Sequence, residues 1–395
     1  MDSTLPEKST KCIGEILVSN LSKIEDFRNQ KQVFYPLNEI LFLIVVARIC
    51  DCRDDVTTVV FGKSKLAWFR KYLPYKKGIP SHDVLNYTMR IVSPLALSKI
   101  LLETFESINE TLEGKTIHID GKRLRGSATK KEAQTKKSEG GEQSKIMVNV
   151  FCSEVKMCLT SHEVLEKGGE KGVLDNILEV LDIKGSLVTM DSAYCYRDVA
   201  NKIVDKEASY MLAVKGNQGN LLDAIENIIE FPTDIDLGKI EISHGRVEER
   251  VCKVVNVNNI ALWLDIKYGT ILKEWPNIQT IIQIESKRNE SKDKPAATEF
   301  RYYITNKNLT AIEANKIVRG HWEIENGLHW TLDVVIGEDG SRKRKDASPI
   351  NNSIINKTAF NILYAKNDEI KISKRAKMKN CGWNEDFLDQ ILGFK

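Results

Sequence analysis

Thr116-Ile117-His118-Ile119-Asp120-Gly121 and, further along, Leu187-Val188-Thr189-Met190-Asp191-Ser192 are the two stretches from which the fold can be read. Each is a short β-branched and apolar run that ends on an aspartate and then meets small residues, as expected of a strand carrying a carboxylate to a sheet edge. Between and beyond them, Ile146 to Cys152, Met157 to Val164 and Tyr210 to Val214 are further strand candidates, while Lys171 to Leu181 and Arg197 to Asp205 carry helical periodicity. The polar, Lys/Glu/Gly/Ser-rich stretch Ser127 to Lys145 is expected to be a loop. The order β-β-β-α-β-α-β predicts an α/β domain, with a mixed sheet and helices packed on its faces.

Upstream, Leu37 to Cys50 is a strongly apolar helical segment, and Val84 to Leu102 repeats apolar residues at helical spacing, so the first hundred or so residues are expected to be helical. Gly78-Ile79-Pro80-Ser81 reads as a turn with Ser81 as the N-cap of the next helix. Downstream, a second β-rich stretch runs from Lys239 to Thr305, including Ile278 to Glu285 and Phe300 to Ile304; helical periodicity returns at Thr310 and carries an apolar stripe of Ile317, Ile324, Leu328, Leu332 and Val335. The expected division is a helical region over 1–105 and an α/β domain over 106–395, with a β-rich insertion at about 237–306 before the last helix.

The longest apolar run, Ile40 to Ala47, is closed by Arg48 and falls well short of the roughly 20 residues that span a bilayer, so a membrane protein is not expected. No secretory signal pattern opens the chain, and cytoplasmic residence is expected. The eight cysteines show no pair at the spacing of a zinc knuckle and are expected to be buried free thiols. A net charge of +3 is too small to indicate a polyanionic partner, but the basic residues cluster at Lys63 to Lys77, Lys122 to Arg125, Arg342 to Lys345 and Lys371 to Lys379. The first cluster carries Trp68, Phe69, Tyr72 and Tyr75, which suits either a nucleic-acid backbone or a small helical core.

Asp120 and Asp191 at the ends of neighbouring strands suit a hard cation, since ligands of open α/β sheets collect at that edge; either alone could equally be a turn or N-cap residue. A third feature is the segment His321-Trp322-Glu323-Ile324-Glu325-Asn326-Gly327-Leu328-His329-Trp330-Thr331-Leu332-Asp333. Spacing of four puts His321, Glu325, His329 and Asp333 in one row beside the apolar stripe, facing a sheet edge, a cleft or solvent; two histidines there are also compatible with zinc.

Ile117 to Ser127, with Asp120-Gly121-Lys122-Arg123-Leu124-Arg125-Gly126, resembles the first catalytic block of the DDE transposases, in the subgroup of the H-repeat-associated proteins of Rhs elements. Val188 to Asp191 with Tyr210 to Gln218 resembles the second block; His244-Gly245-Arg246 with Glu248 and Arg250 resembles a further signature; His321 to Asp333 with Glu338-Asp339-Gly340-Ser341-Arg342 resembles the third. Phe27 to Pro94 is similar to that subgroup's helical N-terminal region, so the resemblance runs in order along nearly the whole chain.

The resemblance implies an RNase H-like sheet with acidic residues on its first strand, its fourth strand and a late helix, with Asp120, Asp191 and Glu325 as catalytic and metal-binding residues. It implies two Mg²⁺ ions, replaceable by Mn²⁺, and cleavage of double-stranded DNA at terminal inverted repeats followed by strand transfer into target DNA, with a homodimer on DNA as a compatible assembly. Lys122, Arg123, Arg125, Lys215, Arg246, His321, His329 and Arg342 are candidate DNA contacts. The auxiliary Y-x2-R-x3-E-x6-K signature of related transposases is not kept: Val318, His321 and Leu332 stand at its Tyr, Arg and Lys positions, and Glu166 to Lys171 also departs from the subgroup. A nuclease without strand transfer and a catalytically silent DNA-binding descendant are the alternative functions. Glu325 is preferred to Asp333 as third ligand, because its side chain reaches further and it occupies the Glu position.

Overall fold

The computed structural model describes residues 12–29, 31, 33–108, 111–128, 144–165, 169–238, 241–243, 246–289, 297–365 and 370–394. Ten strands form one sheet: β1 Thr116–Arg123, β2 Ile146–Cys152, β3 Met157–Val164, β4 Leu187–Met190, β5 Ser209–Val214, β6 Asp234–Asp236, β7 Glu241–Ser243, β8 Arg246–Asn256, β9 Thr280–Asn289 and β10 Ala297–Thr305. The order is β3-β2-β1-β4-β5-β10-β9-β8-β6, with β7 paired to β8. The first three strands are antiparallel neighbours, while β1, β4 and β5 run parallel. This 3-2-1-4-5 order, with a helix in each parallel crossover, is an RNase H-like core. The β-rich insertion extends the same sheet through the antiparallel pairing of β10 with β5, and it also contains the helix Leu262–Lys273.

β1 corrects one expectation. Asp120 does not end its strand: β1 runs on to Arg123, and only its parallel pairing with β4 stops, at Ile119 opposite Met190. Asp120 to Arg123 continue the ladder with β2, from Asp120 opposite Asn149 to Arg123 opposite Ile146. Gly121 is therefore not a turn residue. A Cβ there would lie 2.5 Å from the hydroxyl oxygen of buried Tyr194, so glycine at this position allows a close approach within a strand.

The two faces of the sheet are buried by different helices. Ile117, Ile119, Val148, Val150 and Val188 point to one face and pack with the helices Glu170–Val180, Arg197–Asp205, Gly219–Ile228 and Leu262–Lys273. The alternate residues His118, Asp120 and Lys122 of β1, and Thr189 of β4, point to the other face. That face is covered by the helix Ala311–Glu323, which starts on a capping box between Thr310 and Glu313, and by its continuation. From Ile324 to His329 and again from Thr331 to Ile336 the continuation is π-helical. The helix Ser348–Ala365 follows and is buried along almost its whole length.

The helix Leu37–Ile49 is buried on all sides, with Asn38 alone of its residues outside the core. Val84 to Leu102 is two helices, His82–Ile91 and Pro94–Ile108, because Pro94 opens the second and bars the preceding residue from helical conformation. Ser81 caps the first of them, its side chain accepting from the Val84 amide. The N-terminal helices share one hydrophobic cluster with the helices Ser348–Ala365, Lys374–Trp383 and Glu385–Leu392. Trp68, Phe69 and Tyr75 lie inside that cluster and Tyr72 stacks on Phe394, so the rings of the Lys63 to Lys77 stretch fill a core and are not a stacking platform for bases. Lys63, Arg70, Lys71, Lys76 and Lys77 remain exposed. All eight cysteines are free thiols. Among the described residues no helix is long and apolar enough to cross a membrane.

Candidate active site

The row His321, Glu325, His329 and Asp333 faces the polar side of β1 and β4. His321 Nδ1 lies 2.7 Å from Thr189 Oγ1, and the same hydroxyl lies 2.6 Å from His118 Nδ1, so one threonine bridges two imidazoles. At the far end of the row, Asp333 accepts a 2.6 Å hydrogen bond from Lys122 Nζ. Between these ends, His329 Nε2 accepts from Asn149 Nδ2 at 3.0 Å and its Nδ1 lies 3.7 Å from Asp120 Oδ2. Asn149 is held in that sense by Ser161, whose hydroxyl donates to its Oδ1. The imidazole proton of His329 is thereby assigned to Nδ1, facing Asp120.

Asp120 stands at the centre of this arrangement. Its Oδ1 accepts from the Gly121 amide at 2.8 Å, and its side chain is 19% exposed, which makes it the most enclosed of the three carboxylates. Burial first, and then the negative charges of Glu325 and Asp191, push its pKa up to about 7. Asp191 follows β4 as expected and caps a short turn with Oδ1, which accepts from the Ser192 amide at 2.7 Å. Lys215 Nζ is 3.6 Å from the same oxygen. The loop carrying Lys215 is tied to the Asp191 loop by Asn217, which donates to the Ser192 carbonyl, and by Gln218, which donates to the Cys195 carbonyl. Asp191 and Glu325 share a cavity of about 300 Å³ with Lys215, Arg301, Tyr303 and Trp322.

The residues named from sequence do not all come together. Asp120, Asp191 and Glu325 converge, and Lys215 joins them. Arg123, Arg125 and Arg342 are exposed. Lys122 is buried and held by Asp333, Glu338 at 3.4 Å and Asp339 at 3.7 Å, so it is not available to a DNA phosphate. His321 and His329 are engaged with Thr189 and Asn149; burial lowers their pKa values to about 4 and about 3, so both are neutral and neither offers a phosphate a positive charge. His244 and Gly245, with the side chain of Arg246, lie outside the described residues.

His118, Thr189 and Asn149 were not singled out from sequence. A signal was present: in a strand, residues two apart share a face, so His118 lies beside Asp120 and Thr189 beside Asp191. His118 and Thr189 are also register partners across β1 and β4.

The chemistry of the donors fits a hard divalent cation. All three are carboxylates, and the mutual repulsion that helps to raise Asp120 is what a cation would relieve. Among the described residues no three His, Cys, Asp or Glu side chains close on a single point as an ion cage, the three carboxylates included. In a two-ion arrangement each ion needs only part of the set.

Residues 112–362 match the Transposase DDE domain family, and residues 18–104 match the DDE_Tnp_1-associated family. The chain belongs to the DDE transposase family. This DDE-family chain is 35% identical over 385 residues to "Putative transposase YncI" of Escherichia coli O157:H7, with 95% of this chain and 94% of that one covered. It is 30% identical over 385 residues to "H repeat-associated putative transposase YhhI" of Escherichia coli K12, covering 95% and 97% of the two chains. The subgroup resemblance seen in the sequence is thus supported by whole-length relatives. A structure of piggyBac transposase in a synaptic complex with hairpin DNA aligns with 97% of this DDE-family chain and 78% of its own at a TM-score of 0.47 and 11% identity, a likeness too distant to build on.

A stability prediction follows from the placement of Asp120. Its folded pKa of about 7 lies above its unfolded value, so its contribution is fully favourable below about pH 4 and is lost as pH rises through about 7. In chelator-treated protein, Asp120→Asn is expected to raise the melting temperature by a few degrees at pH 8 and to leave it near wild type at pH 4. Calorimetry at the two pH values measures this; a variant less stable than wild type at pH 8 contradicts the assigned environment.

Proposed function

We propose that this chain cleaves DNA strands at the ends of a mobile element and joins the freed ends to target DNA, with Asp120, Asp191 and Glu325 as ligands of two Mg²⁺ ions. The observation that carries the reading is the convergence of these three carboxylates from β1, from the end of β4 and from the π-helical segment, with the Asp120 pKa raised by burial and then by the charges of the other two. Bound there, the ions would activate the attacking oxygen and stabilise the departing one on the scissile phosphate.

The surrounding residues hold and shape that site. His329 points a neutral N–H at the unbonded oxygen of Asp120, and Asn149 fixes the ring that does so. Thr189 ties the start of the Glu325 segment to the sheet through His321. Lys215 places a positive charge beside Asp191 at the mouth of the cavity, suited to a phosphate oxygen, and Arg123, Arg125 and Arg342 are placed to meet the DNA backbone. We assign recognition of the element's ends to residues 1–105, supported by the exposed lysines and arginine of the Lys63 to Lys77 stretch, and chemistry to residues 106–395.

The test uses purified protein and duplexes carrying the inverted repeats that flank its gene. Nicking at the repeat ends and joined products are expected with Mg²⁺ and Mn²⁺, whereas Ca²⁺ should support binding without turnover. Nicks without joined products would make the chain a nuclease; specific binding without nicks would make it a silent descendant; and cleavage that survives thorough chelation would refute the metal assignment.

A further inference from the structure

A cleft of about 980 Å³ opens between the N-terminal helices and the segment that follows the π-helical turns. Its lining includes Arg53 on one wall and Arg342, Lys343, Arg344 and Lys345 on the other, with Asp333 at the end nearest β1. We propose that this cleft holds backbone phosphates of duplex DNA beside the cleaved position; the proposal rests on the DNA reading given above and adds where the duplex lies.

The argument is one of charge left over after pairing. Three carboxylates line the cleft, and two of them are paired with a lysine. Asp55 takes both of its bonds from Lys343 Nζ, at 2.7 and 2.8 Å. Asp54 accepts from the Thr57 amide as the N-cap of Asp55–Ser64, and Asp333 is bonded to Lys122. The bases outnumber them even with Arg53 paired to Asp51 at 2.9 Å. With Lys343 turned back to Asp55, its neighbours Arg342 and Arg344 are exposed, and so is Lys345. Arg344 is steered by its Nε, which donates to the Gly126 carbonyl at 3.2 Å. Among the described residues the side chains of Arg342 and Lys345 have no hydrogen-bonding or ion-pair partner, although the Lys345 carbonyl accepts from the Ser348 amide.

The cleft wall is also built to keep its shape. A Cβ on Gly126 would lie 1.9 Å from the Ser341 carbonyl oxygen, so the loop after β1 is packed backbone to backbone against the start of the basic segment. Guanidinium and ammonium groups on a fixed wall match a row of phosphates, which need several contacts for useful affinity. The position suits a duplex laid across the carboxylates: Asp333 lines the cleft and bonds Lys122, two residues along β1 from Asp120.

The experiment uses the full chain and a duplex carrying the terminal repeat, with Ca²⁺ to prevent turnover. Arg342→Gln with Lys345→Gln, both exposed, should lower affinity about tenfold at moderate salt and reduce the slope of log affinity against log salt by about 2. With wild-type protein, photoreactive groups on single backbone phosphates near the cleaved position should label residues 341–345. Unchanged affinity and slope, or labelling that never falls on 341–345 while wild type binds, would overturn the cleft assignment alone. Absence of any duplex binding by wild type would overturn the DNA reading, and this proposal with it.

Discussion

Glu325→Gln is expected to lower Mg²⁺-dependent strand cleavage about a thousandfold or more while leaving thermal stability near wild type. The stability half of this expectation comes from exposure: Glu325 stands out from the π-helical segment and supports no part of the core. The activity half comes from charge, because replacing one of three converging carboxylates removes both a ligand and a unit of the potential that would draw cations to the site. Asp333→Asn is the informative contrast. Asp333 shares the helical row, yet its Oδ1 is bonded to Lys122. This variant should lose stability and keep measurable cleavage in the folded fraction. Gel assays of single-turnover cleavage, paired with melting curves, separate the two. A Glu325→Gln enzyme that cleaves well, beside a folded Asp333→Asn enzyme that does not, would move the third ligand to Asp333.

The largest effect on stability is expected at Lys122. Its ammonium is buried among Asp333, Glu338 and Asp339, and Glu338 is itself buried and held by Asn356. Lys122→Met takes away the ammonium that all three acids share, leaving only exposed Arg125 beside Asp339 and the charges of Lys357 and Arg48 acting on Glu338, and should cost about 3–5 kcal/mol. Adding Asp333→Asn to that variant should be less damaging than making it in wild type, because it then removes repulsion instead of a bond. Urea titration of the four proteins gives the coupling; additive losses would mean that the pair does not act as a unit. The acids raise the Lys122 pKa above the ordinary lysine value against its burial, so its contribution is complete below the unfolded lysine pKa and is lost only as pH rises through the folded value. The loss in Lys122→Met should therefore be as large at pH 9 as at pH 7.

Much of the core was readable because its elements are short and cleanly patterned. Ile146–Cys152, Met157–Val164 and Arg197–Asp205 fall where alternation and helical periodicity place them. The continuation of β1 was hidden because Gly121 reads as punctuation, and its reason for being glycine is a tyrosine seventy-odd residues away. The role of Lys122 was hidden for a related cause: a cluster of bases looks alike whether it faces DNA or a group of acids within the fold. The π-helical turns were not legible either, since spacing of four in the sequence describes an α-helix. The geometry suggests what they accomplish. His118 to Lys122 spans about 13 Å of strand, while His321 to Asp333 would span about 18 Å of α-helix. A helix with more residues per turn rises less per residue, which brings His321 opposite His118 and Asp333 opposite Lys122 at once.

The shared cluster of N-terminal and C-terminal helices has a consequence for biosynthesis. The helix Leu37–Ile49 is made long before the end of the cluster that buries it, which includes Leu388, Ile391 and Leu392. Until those residues emerge, a strongly apolar helix has no complete partner, and exposed apolar surface of this kind is prone to aggregation. A message cut short anywhere between these segments yields a polypeptide with an open core, fit for proteolysis even when its three carboxylates have all been translated. Closure of this core thus depends on chain order, because its first helices cannot be fully covered before its last ones have been made.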